Sequence, residues 1–202
     1  GETVSGDAWS VLDLGDSTQI TVVDGLGHGI QAADAAQAFL RIVEAHRGRA
    51  PHDLIDLAHP ALRSTRGAAA AVARVPKGGG QMVYAGVGNI AGDVLRPDGT
   101  MQSCVSQHGI VGGQLRKVTT MTYDVPRGSL VVLASDGLSA SWKIEKTPGL
   151  RERHPALGRA AQPQGRGLVR AGSEPGARRR GRHPAHRGAD PGRDPGAAGG
   201  GR

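Results

Sequence analysis

The sequence predicts an α+β fold, a β-sandwich flanked by helices. Three observations carry this expectation. Gln19–Val23 and Ser129–Ala134 are continuous apolar or β-branched runs, the pattern of strands buried on both faces. Two helical patterns follow one another directly, within Ile30–Arg63. The strands after them are joined by turn residues rather than helices, which favours antiparallel sheets over a parallel α/β sheet.

Each element has its own signal. Ala8–Leu12 reads as the first strand and Gln19–Val23 as the second. The second ends in Asp24-Gly25-Leu26-Gly27-His28-Gly29, a loop in which His28 reads as part of a tight turn at a helix start. Ile30–His46 sets Phe39, Leu40, Ile42 and Val43 at helical spacing, with Gly48 and Pro51 as stops. Asp53–Arg63 is a second helix, interrupted at Pro60. Ala68–Val75 and Gln81–Val87 flank the turn Lys77–Gly80 as a hairpin. Ile90–Leu95 and Met101–Ser106 flank Pro97-Asp98-Gly99, a second hairpin. Val118–Val125 alternates as a half-exposed strand does, and Pro126-Arg127-Gly128 turns it into Ser129–Ala134.

Charge divides the chain. Residues 1–150 hold 13 basic and 14 acidic side chains, net −1; residues 151–202 hold 12 Arg, no Lys and 4 acidic side chains, net +8. The same 52 residues include 12 Gly, 6 Pro and 9 Ala, and their larger aliphatics are Leu157, Leu168 and Val169. Such a composition buries too little apolar area to offset the entropy of ordering, so residues 158–202 are expected to be a disordered tail. Gly, Ala, Pro and Arg have codons rich in G and C, and a shift of reading frame near Leu157 is the favoured origin. The alternative is an evolved Arg-rich tail that binds nucleic acid, although it has no aromatic residue for stacking on bases. The single Cys104, expected in the core, excludes a disulfide framework and a multi-cysteine metal site. No apolar run approaches the ~18 residues of a membrane span, and no charged-then-apolar leader opens the chain. A cytoplasmic domain without membrane association is expected.

The chemistry is expected at aspartates on strand ends. Asp98 reads as an ordinary turn residue. Asp24 and Asp136 differ, because both close fully apolar strands and emerge from the middle of a sheet. Carboxylates converging there without a neighbouring Lys or Arg repel one another, and a hard divalent cation relieves the repulsion. Gly25-Leu26-Gly27-His28-Gly29 matches neither dinucleotide-binding nor P-loop spacing. The role of His108-Gly109-Ile110-Val111-Gly112-Gly113 does not follow from the sequence.

Gly6-Asp7, Asp24-Gly25-Leu26-Gly27-His28-Gly29, Ala85-Gly86-Val87-Gly88-Asn89 and Ser135-Asp136-Gly137, in this order and spacing, resemble the metal-dependent (PPM, type 2C) protein serine/threonine phosphatases, in their SpoIIE/RsbX-like bacterial branch. The resemblance covers residues 1–157, taken as a phosphatase domain truncated at both ends. It implies the β-sandwich flanked by helices and two Mn²⁺ or Mg²⁺ ions. Asp7, Asp24 and Asp136 match family metal ligands, and Gly25 matches a ligand through its backbone carbonyl. Gly86, Gly88 and Asn89 match a structural turn beside the site. Two such ions lower the pKa of a water and offset phosphoryl charge, so no covalent nucleophile is needed.

The family closes with an Asp-Asp pair leading into a last strand. Here Asp190 is followed by Pro191-Gly192, so the closing strand is expected to be missing and the second metal site weakened. The expected function is metal-dependent hydrolysis of phosphoserine or phosphothreonine on a regulatory protein of the anti-anti-sigma type, impaired in this chain. The alternative is a catalytically depleted phosphatase fold that binds a partner.

Overall fold

The computed structural model describes residues 4–136 and the backbone of Leu168–Ala171. Two antiparallel sheets lie face to face. One has the order β1(Asp7–Asp13), β2(Ser17–Gly25), β3(Ala68–Pro76), β4(Gly80–Val87), β7(Met121–Val125). The other has the order β6(Met101–Cys104), β5(Ala91–Leu95), β8(Leu130–Ala134), β9(Leu168–Ala171). Helices α1(Ile30–Ala45) and α2(Pro51–Ala61) cover the outer face of the five-stranded sheet.

Period-two alternation builds two cores from the same strands. On β3, Ala68, Ala70 and Val72 face the helices and pack with Phe39, Val43, Leu54 and Ile55. Ala69, Ala71, Ala73 and Val75 face the second sheet and pack with Ile20, Met82, Tyr84, Val131 and Leu133. The strand therefore reads as one apolar run, because both faces are covered. β2, between β1 and β3, is buried in the same way, as its sequence predicts.

The element order agrees with the sequence reading, and the differences have local causes. β2 is longer than its apolar run because it pairs along its length with both neighbours. α2 begins at Pro51, whose fixed φ suits a first helical position. Pro60 falls in the last turn of α2 and ends the helix rather than interrupting it. Residues 118–120 are not strand. Val118 is buried against the helical core, Thr119 N donates to Gln107 Oε1 at 2.7 Å, and Thr120 Oγ1 bonds His52 Nδ1 at 2.7 Å. The turn at 126–128 does not close a hairpin: β7 pairs with β4 and β8 with β5, so the chain changes sheets there. Cys104 is half-buried, and burial pushes its thiol up to about 12, away from reactivity.

β9 differs most from expectation. Leu168–Ala171, in the stretch expected to be disordered and to leave the sheet without a closing strand, pairs antiparallel with β8, Leu168 opposite Ala134 and Ala171 opposite Val131. The local reason is compositional: this window holds the adjacent aliphatics Leu168 and Val169 and no proline. The rest of 158–202 lies outside the described residues, as does Asp190.

Tyr84 links the layers between the sheets. Its hydroxyl bonds Ser106 Oγ at 2.8 Å, and Ser106 Oγ also donates to the Ile90 carbonyl at 3.0 Å. Its ring meets Tyr123 edge to face, with centroids 6.0 Å apart. Tyr84→Phe is expected to cost about 1 kcal/mol, the worth of a typical hydrogen bond. Tyr84→Ala is expected to cost about 3–5 kcal/mol, because it also opens a cavity between the sheets. Urea denaturation of the two variants checks the difference.

Candidate metal centre

The site forms where strand ends of both sheets meet. Asp7 opens β1 and Asp24 lies one residue from the end of β2, and antiparallel register sets them directly opposite one another. Asp136 follows β8, on the other sheet. Two side chains hold this junction. Ser135 Oγ donates to Asp7 Oδ2 at 3.0 Å, joining the end of one sheet to the end of the other. Asn89 Nδ2 donates to Asp136 Oδ2 at 3.2 Å from the turn between β4 and β5.

Close backbone packing shapes the floor. Gly25 N donates to the Gly6 carbonyl at 3.0 Å, and the first turn of α1 lies hard against both glycines. A Cβ on Gly25 would collide with the backbone of Ala32, so any side chain there would push α1 off the strand ends.

The electrostatics follow from the crowding. Asp24 is half-buried, and its carboxyl is pushed up to about 6. The largest cause is burial, followed by the charges of Asp7 and Asp136 and a hydrogen bond shared with Asp7. Among the described residues, no basic side chain offsets these effects at Asp24. The three aspartates singled out from the sequence thus lie within electrostatic reach of one another, although 129 positions separate the first from the last.

The donor set suits a hard divalent cation. It offers only carboxylate oxygens, with the backbone oxygen of Gly25 beside them, and its charges are unbalanced without a cation. Among the described residues, no three His, Cys, Asp or Glu side chains are closed into ready metal-ligating geometry. The carboxylates converge on an open site rather than forming a finished chelate.

Sequence reasoning missed Ser135 and gave Asn89 only a turn. The signal available for each was adjacency: Ser135 precedes Asp136, and Asn89 follows two glycines at a strand end. The 108–113 loop also acquires a structural role. Val111 exchanges two backbone hydrogen bonds of 2.9 Å with Ala68, and Gly112 N donates to His59 Nδ1 at 3.0 Å. The loop thereby braces the start of β3.

Residues 15–181 match the family described as Stage II sporulation protein E (SpoIIE), a match that runs beyond Leu157 and across β9. The chain is 26% identical to the phosphoserine phosphatase RsbX of Bacillus subtilis (strain 168) over 139 residues, which are 69% of this chain and 70% of that protein. RsbX solved in complex with magnesium superposes with a TM-score of 0.65 at 25% identity, covering 70% of this chain and 71% of that one. A structure described with the bacterial stressosome, as a modular system adapted to control secondary messenger signalling, superposes at 0.66 with 31% identity, covering 72% and 76%. The serine/threonine phosphatase PstP/Ppp of Mycobacterium tuberculosis, 16% identical with a TM-score of 0.55 over 75% and 83% of the two chains, shares the fold.

Asp24→Asn removes the most perturbed charge. An Asp with a raised folded-state pKa costs stability above that pKa and nothing below the unfolded value. In metal-free buffer at pH 7, the variant is therefore expected to melt about 2–4 °C above the unsubstituted chain. The gain should shrink as pH falls through about 6 and disappear near pH 3, where Asp24 is protonated in both states. Differential scanning calorimetry at the two pH values checks this, and a lower midpoint at pH 7 would contradict it.

Proposed function

The chain belongs to the SpoIIE family, and from that premise we propose that it is a metal-dependent phosphatase acting on phosphoserine or phosphothreonine in a regulatory protein. The observation that carries the reading is the convergence of Asp7, Asp24 and Asp136, with Asp24 pushed up to about 6 and no basic side chain among the described residues offsetting it. Similarity to the phosphoserine phosphatase RsbX supports the substrate class. Similarity to a stressosome-related structure supports a role in signalling, and the motif resemblance leads us to propose a cytoplasmic protein substrate of the anti-anti-sigma type.

The residues divide the work. Asp7, Asp24, Asp136 and the Gly25 carbonyl would hold two Mn²⁺ or Mg²⁺ ions, which when bound supply an activated water and offset phosphoryl charge. Asn89 and Ser135 orient Asp136 and Asp7, and fix which carboxylate lone pairs remain free. The glycines at 6 and 25 let α1 approach without filling the site. No side chain is required as a covalent nucleophile.

We further propose that the second metal is held weakly. The three carboxylates carry −3 against the +4 of two divalent ions, and the Asp-Asp ending of the family has no clear counterpart at Asp190-Pro191. We propose a phosphatase domain over residues 1–157 extended by β9, which the family match also covers. We expect no specific nucleic-acid ligand.

The test uses the full chain and a phosphoserine peptide. Hydrolysis is expected with millimolar Mn²⁺ or Mg²⁺, to stop in EDTA, and to return when metal is added back. Asp7→Asn, Asp24→Asn and Asp136→Asn should each lower kcat by about 100-fold or more, since losing even a residue that only orients a ligand costs about 10–100-fold. Calorimetric titration with Mn²⁺ should show one tighter and one weaker site. Absence of metal-dependent turnover would leave the chain as a partner-binding module.

A further inference from the structure

We infer that Ser106 is a positioning residue for Asp136: by holding the Ile90 carbonyl, it fixes the turn from which Asn89 holds the Asp136 carboxylate. The inference rests on the proposed metal centre and adds to it a residue outside the ligand set.

Strand register brings Asn89 to Asp136. β5 and β8 pair with Ala91 opposite Ala134, and the same antiparallel count, carried two residues past the strand ends, sets Asn89 opposite Asp136. The bond of 3.2 Å from Asn89 Nδ2 to Asp136 Oδ2 lies at that step. Asn89 itself belongs to no strand; it sits in the turn between β4 and β5. Where its carboxamide points therefore depends on what holds that turn.

Residues 106 and 107 hold it. Gln107 N donates to the Gly86 carbonyl and Gly88 N to the Gln107 carbonyl, both at 2.8 Å. These bonds fix the chain before Asn89. Ser106 Oγ fixes it after, donating to the Ile90 carbonyl at 3.0 Å. Residues 86, 88 and 90 are thus tied to one short segment, and Asn89 lies between two anchored neighbours.

Hydrogen-bond accounting gives the Ser106 hydroxyl its direction. A hydroxyl has one proton and a carbonyl only accepts, so the Ser106 proton goes to Ile90. The Tyr84 hydroxyl, 2.8 Å from Ser106 Oγ, is then the donor of the other bond. Burial pushes the Tyr84 phenol above its ordinary range, so the proton it donates stays in place. A Cβ on Gly86 would collide with both hydroxyl oxygens. Gly86 lacks the left-handed φ of Gly88, so space for this hydroxyl pair is what its missing side chain provides. Tyr84 and Ile90 are buried in the core between the sheets, and the relay through Ser106 links that core to a carboxylate at its end.

The test uses the full chain and compares Ser106→Ala with Tyr84→Phe. Each removes one hydroxyl of the relay and should lower the melting temperature, but only Ser106→Ala releases the Ile90 carbonyl. In ¹H–¹⁵N spectra of the metal-free chain, the Asn89 side-chain amide signals are assigned by their loss in Asn89→Asp. They should move toward those of a solvated carboxamide in Ser106→Ala and stay in place in Tyr84→Phe. Calorimetric titration should show Mn²⁺ affinity about 10-fold lower in Ser106→Ala, the lower end of the loss seen when a residue that only orients a ligand is removed, and unchanged in Tyr84→Phe. Asn89 signals that stay in place in Ser106→Ala, or that move equally in both variants, would overturn the inference, as would Mn²⁺ binding that Ser106→Ala leaves unchanged. If the signals move as expected but the unsubstituted chain binds no Mn²⁺, the positioning role of Ser106 stands and the proposed metal centre fails.

Discussion

Repulsion among three carboxylates is the constraint around which the rest of the molecule is organised. Asp7 and Asp24 face one another across a strand pair, and Asp136 arrives from the opposing sheet. Alone, each would be solvated at low cost. Burial of Asp24 pushes its carboxyl up to about 6, and the charges of Asp7 and Asp136 add to the shift and destabilise the junction that holds them. The apolar packing on both faces of the five-stranded sheet offsets that cost. Phe39, Val43 and Ile55 pack on one side and Ile20, Tyr84 and Leu133 on the other, and this leaves the strand ends free to be electrostatically unfavourable.

The architecture also explains why the hydrogen bonds at the site are few and specific. Ser135 and Asn89 each donate one bond to one carboxylate oxygen, leaving the other oxygen of each carboxylate outside that bond. Both come from the segments that join the sheets' ends, so the relative position of the two sheets sets the position of the ligands. A side chain at Gly25 would disturb this arrangement by displacing α1.

Much of this was legible in the sequence. Apolar runs at residues 19–23 and 129–134 marked strands covered on both faces, and the aspartates that close them marked the candidate site. The consecutive helices and the turn-linked strands marked the fold class. Features that depend on partners distant in sequence were not legible. Residues 118–120 alternate like a strand, yet Gln107 and His52 draw Thr119 and Thr120 toward the helical layer. The turn at 126–128 looks like a hairpin turn, but which sheet each strand joins is decided by β4 and β5. The bond between Ser135 and Asp7 spans 128 positions and has no local signature. β9 escaped because composition over 52 residues masked four residues able to extend a sheet.

Crystals of the full chain grown with Mn²⁺, with diffraction data collected at the manganese absorption edge, test the central claim most directly. The account predicts an anomalous peak within coordination distance, about 2–2.5 Å, of carboxylate oxygens from Asp7, Asp24 and Asp136 or of the Gly25 carbonyl. A second, weaker peak is expected beside it, about 3.5–4 Å away. Manganese bound elsewhere, with the three carboxylates in contact only with water or protein, would contradict it.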